Sequence, residues 1–103
     1  MKMLINVIFP LEPFNTMVRN GTAGETIGRV VDDIKPEFIY FTEIDGNRGA
    51  VMLVEVSDAS SVPSIAEPWF LVFEAICEFK IAMSSDDLMN ADLTNLGKKW
   101  SKP

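Results

Sequence analysis

The dipeptide Asp45-Gly46 constrains this chain more than any other feature, because it sits between two runs that read as β-strands, Phe38 to Glu43 and Gly49 to Val56. Asp and Gly both tolerate positive φ, the conformation that a two-residue hairpin turn demands. The two runs are therefore expected to pair antiparallel. A third run, Met3 to Phe9, is rich in β-branched and aromatic residues and closes at Pro10, and a fourth runs from Ala75 to Ala82.

Helical signals fill the spaces between the strands. A short helix is expected from Pro13, with Phe14, Met17 and Val18 at i, i+3 and i+4, ending at Asn20-Gly21. Thr22 and Glu25 have the spacing of a capping box, and Ile27, Val30, Val31 and Ile34 form one apolar stripe until Pro36 forces Lys35 out of helical geometry. Asp32 and Asp33 then fall near the negative end of that helix, a small electrostatic conflict. A further helix spans about Val62 to Phe73, with Pro63 in its first turn; Pro68 is expected to kink or divide it. Ser84 and Asp87 cap a last helix whose Met89, Leu93, Leu96 and Trp100 share a face.

The order β-α-β-β-α-β with a trailing helix is the ferredoxin-like plan of the α+β class, in which helices cover one face of a four-stranded antiparallel sheet. Residues alternate between faces along a strand. Met3, Ile5, Val7 and Phe9 thus oppose Leu4, Asn6 and Ile8, and the other three runs split the same way. Both faces come out mostly apolar, whereas a sheet with one solvated face alternates cleanly between apolar and polar. Self-association of two copies through the open face is the expected remedy. The alternative is a monomer whose C-terminal helix folds over it.

Four segments carry a family resemblance: Asn20-Gly21-Thr22-Ala23-Gly24-Glu25; Lys35-Pro36-Glu37-Phe38-Ile39-Tyr40-Phe41-Thr42-Glu43; Gly46-Asn47-Arg48-Gly49; and Ala66-Glu67-Pro68-Trp69-Phe70-Leu71. Together they resemble a family of short bacterial proteins placed in the dimeric α+β-barrel superfamily. The resemblance extends over nearly the whole chain and implies a fold, a homodimer and a pocket between sheet and helices. Superfamily relatives include cofactor-free monooxygenases, muconolactone isomerases and haem-dependent chlorite dismutases. Their functional motifs do not map onto this sequence residue by residue.

Composition narrows the choices. With 103 residues, 48% of them apolar and 23% charged, residues 1–103 suit one folded domain with one core. Nine basic against fifteen acidic residues give a net charge of -6, and the basic cluster is confined to Lys98, Lys99 and Lys102; nucleic acid is not an expected partner. No apolar run reaches the roughly 20 residues of a membrane-spanning helix. The single cysteine, Cys77, permits no intrachain disulfide, and the first ten residues read as a strand rather than a signal peptide, so a cytoplasmic location is expected.

The absence of histidine removes the usual proximal haem ligand, most zinc sites and any Ser-His or Cys-His nucleophilic pair. No cofactor or metal is expected. Cys77 shares strand parity with Phe79 and Ile81 and reads as a buried apolar residue. Gly21, Gly24 and Gly28 follow a helix rather than a strand, which argues for a helix break over a phosphate cradle. The remaining chemistry lies in the polar minority of the sheet. Asn6 is expected between Glu55 on one side and Glu78 with Lys80 on the other, with Tyr40 and Thr42 farther along. Arg48 at the hairpin mouth can fork a carboxylate, and Trp69 beside Pro68 either fills the core or lines a crevice. Asn6, Tyr40, Arg48, Glu55, Trp69, Glu78 and Lys80 are thus the candidate ligand-binding residues. Three functions fit: a dimer that binds a small organic molecule in a pocket of each subunit bounded by the sheet, the kinked helix and the hairpin, a cofactor-independent enzyme using Glu78 or Glu55 as base, or an interaction module. An intersubunit ion-pair network fixing dimer register is the structural alternative for the same residues.

Overall fold

A computed structural model describes residues 1–102. In chain order these form β1 (Lys2–Phe9), α1 (Phe14–Arg19), α2 (Ala23–Ile34), β2 (Phe38–Ile44), β3 (Asn47–Glu55), a 3-10 turn (Ala59–Ser61), α3 (Val62–Phe73), β4 (Ile76–Ala82), α4 (Ser85–Asn90) and α5 (Leu93–Lys99). The strands make one antiparallel sheet in the order β2-β3-β1-β4, the ferredoxin-like arrangement. Asp45 and Gly46 form the hairpin turn with φ of +53° and +82°, and Ile44 pairs with Asn47 across it. Gly49 is required three residues on, since a Cβ there would lie 2.6 Å from Cδ1 and Cγ1 of Ile44.

Helices α1, α2 and α3 cover one face of the sheet. Ile5, Val7 and Phe9 of β1 and Ala50, Met52 and Val54 of β3 point into this layer and are buried, together with Val30 of α2 and Ile65, Trp69 and Phe73 of α3. An aromatic cluster fills its middle. The Phe9 ring meets Phe14 at 5.2 Å, Phe73 at 5.2 Å and Trp69 at 5.9 Å between centroids, all edge to face. Such pairs add about 0.5–1.5 kcal/mol each beyond the burial of their area. Both long helices end on a left-handed residue, Lys35 after α2 and Glu74 after α3, whose N–H groups donate back to Val31 and Phe70.

Three local expectations are corrected. Thr22 precedes α2 but does not build the capping box with Glu25: its backbone is already helical, and its hydroxyl engages the Asn20 side chain at 2.7 Å. Pro68 does not divide α3, which runs unbroken through Phe73. Ile65 and Ala66 before it and Trp69 and Phe73 after it are all buried, and this burial on both sides keeps the helix continuous despite the missing N–H. The last helix is two helices. Ser84 and Asp87 do form their reciprocal cap, but Asp92 adopts φ +56° and separates α4 from α5.

These two short helices leave the body of the protein. Every residue from Met83 to Trp100 is exposed, including Met83, Leu88, Met89, Leu93, Leu96 and Trp100. The chain measures 65 × 28 × 20 Å with a radius of gyration of 17.8 Å, against about 13 Å for a compact chain of this length. The C-terminal segment therefore does not fold over its own sheet.

Candidate functional site

Register fixes what the uncovered face of the sheet presents. Side chains on one face repeat every second residue, roughly 7 Å along a strand, and strands lie about 4.8 Å apart. One rung across the four strands reads Tyr40, Val51, Asn6, Glu78; the next reads Phe38, Leu53, Leu4, Lys80. On the far side of the first rung lie Thr42, Gly49, Ile8 and Ile76. Leu4, Asn6, Ile8, Val51 and Leu53 are half-buried in the two central strands, and Phe38, Tyr40, Ile76, Glu78 and Lys80 are exposed at the edges. No side-chain hydrogen bond or ion pair joins Asn6, Tyr40, Glu78 and Lys80 among the described residues, so their side-chain polar atoms are free to meet a further group.

This map departs from the expected neighbourhood in two places. Asn6 stands between Val51 and Glu78, not between Glu55 and Glu78, and Tyr40 lies on the same rung rather than farther along. Two registers set the offset: once Ile44 pairs with Asn47 across the hairpin, Tyr40 must pair with Val51, and the β1–β3 pairing, with Asn6 opposite Val51, carries Glu55 to Lys2 at the sheet's end.

There Glu55 joins a cluster that the sequence reading passed over. The terminal ammonium of Met1 donates to Glu55 at 2.7 Å, and the Lys2 ammonium reaches Glu55 at 3.5 Å and donates to Glu37. The bond from the Met1 ammonium is the largest influence holding the Glu55 carboxyl below its ordinary value. Its hydrogen bond to Glu37 is the largest influence raising Lys2. The β1–β3 register, a pairing far apart in sequence that the hairpin does not set, aligns Lys2 with Glu55.

Two other candidates belong elsewhere. Arg48 donates to the Asn15 side chain at 2.7 Å and its guanidinium lies 4.5 Å from the centre of the Phe14 ring, which ties it to α1 and away from the open face. Trp69 is fully buried in the aromatic cluster, and its indole N–H has no acceptor. The space between sheet and helices, where the family resemblance implies a pocket, is filled by Phe9, Phe14, Trp69 and Phe73. Cys77 also faces that layer but is half-buried rather than buried, and desolvation pushes its thiol up to about 11, so it is protonated at neutral pH.

Concave surface lies among the helices instead. A groove of about 650 Å³ runs between α2 and α3, lined by Thr26, Arg29, Val30, Asp32, Asp33, Pro68 and Val72. Among the described residues no helix is long and apolar enough to cross a membrane, and no group of three or more acidic or cysteine side chains is placed to hold a metal ion. No family model matches the chain, and no curated protein matches it in sequence.

Proposed function

We propose that this protein is a cytoplasmic homodimer that binds a small organic molecule against its open sheet face. The observation that carries the reading is the uncovered pair of rungs, in which Asn6, Glu78, Lys80 and Tyr40 are set among Leu4, Val51, Leu53 and Phe38. A second copy laid on this face excludes water from the apolar residues and leaves the four polar side chains to face a guest. Lys80 supplies a cation for an anionic substituent, Asn6 donates and accepts, and Tyr40 offers a ring face with a hydroxyl. The guest that this arrangement suits has an apolar body and one acidic or strongly hydrogen-bonding end.

Native mass spectrometry of freshly purified protein tests both parts. The expected spectrum contains a dimer carrying added small-molecule mass, and the Glu78→Ala, Lys80→Ala double variant keeps the dimer and loses that mass. A monomer at all concentrations overturns the reading. So does a dimer whose bound mass is indifferent to the double variant.

A further inference from the structure

We infer that the C-terminal arm, residues 83–100, docks on a second copy of this chain, with α5 seated in the partner's groove between α2 and α3. The inference rests on the self-association proposed above. It begins from what the arm lacks. Helices of six and seven residues are not stable alone in water, and α4 and α5 expose Leu88, Met89, Leu93, Leu96 and Trp100 without packing substantially on another element. The arm extends along the 65 Å axis, of which strands of seven to nine residues span only about 25–30 Å.

Area points to the second copy as the occupant. Four strands of this length present a footprint of roughly 500 Å², whereas a stable pair of proteins buries about 800 Å² on each side. The arm's apolar residues supply the missing part. Reach is sufficient: facing sheets lie about 10 Å apart with the partner's helix layer beyond, and α4 with the two residues on either side of it spans about 20 Å before α5 begins.

Charge favours the groove, whose lining sets two carboxylates, Asp32 and Asp33, against one cation, Arg29. Asp32 and Asp33 stand at the C-terminal end of α2, where the helix dipole already disfavours them, and neither has an ion-pair partner among the described residues. The α5 helix ends in Lys98 and Lys99, with Lys102 beyond. Apolar surface matches too: Val30, Pro68 and Val72 line the groove, and Leu93 and Leu96 of α5 share a face at i and i+3 with Trp100 at i+7, just past the helix end.

Disulfide trapping in a Cys77→Ala background tests the contact in the full chain. Chains carrying Leu96→Cys mixed with chains carrying Asp33→Cys should yield a cross-linked heterodimer under mild oxidation. Separately, Lys98→Glu with Lys99→Glu should weaken dimerisation at least tenfold, and adding Asp32→Lys with Asp33→Lys should restore it. A chain holding both cysteines that closes on itself as a monomer overturns the inference in favour of the arm's own groove. A dimeric wild type that yields no heterodimer and no charge rescue overturns it while leaving the sheet-face pairing standing. A monomeric wild type removes both.

Discussion

One sheet carries two apolar faces with opposite fates. Toward the helices, Ile5, Val7, Phe9, Met52 and Val54 are at most 2% exposed. On the reverse, Leu4, Ile8, Val51 and Leu53 come from the same strands and nearly the same residue types, yet stay half-buried. Burial is thus decided by what lies over a face and not by how apolar that face is. The first face gains about 1.5–3 kcal/mol for each large side chain it encloses; the second holds a comparable gain in reserve for whatever covers it.

Substitutions of adjacent residues break or sharpen this contrast most directly. Val54→Asp places a charge in the filled layer and should leave no folded protein by circular dichroism. Leu53→Asp, one residue away, should fold normally and weaken self-association by roughly 30-fold or more in sedimentation velocity. Equal behaviour of the two variants would dissolve the distinction. Next in size, Trp69→Ala should cost about 3–5 kcal/mol in urea unfolding, whereas Tyr40→Ala should stay within about 0.5 kcal/mol at concentrations low enough to separate the copies.

A smaller effect is expected where the open face is already crowded. Gly49→Ala should cost about 1–3 kcal/mol because the new methyl meets the Ile44 side chain, and much of that should be recovered by adding Ile44→Ala. The smallest effect concerns the sheet's end. Since the Glu55 carboxyl is held below its ordinary value of 4.5, its stabilising contribution is complete above that value and is lost as pH falls through the folded-state value. The melting temperature of wild type should therefore exceed that of Glu55→Gln slightly at about pH 6, and the gap should close toward about pH 3.

The strands, their faces and the hairpin were legible because each depends on local chemistry: alternation along β1 and β3, and positive φ at Asp45 and Gly46. What failed depends on competition between local options. The Thr22 hydroxyl could cap α2 or bind Asn20, and it binds Asn20. The stripe from Met89 to Trp100 has helical spacing throughout, but periodicity carries no information about a left-handed residue at Asp92. Within the candidate site, Asn6 beside Glu78 followed from parity and strand order. Glu55 falls away from Asn6 because β1 pairs with β3 in a register that no local pattern fixes, and Arg48 is drawn away by an aromatic ring and an amide that no strand pattern reveals.

The two tryptophans occupy the extremes of this structure. Trp69 is fully enclosed among phenylalanine rings and Trp100 is 75% exposed at the end of the arm. The chain is thus furnished with two intrinsic fluorophores in unlike surroundings. Emission at the blue edge belongs to the interior and emission at the red edge to the arm, which lets one unlabelled spectrum follow folding and docking as separate events.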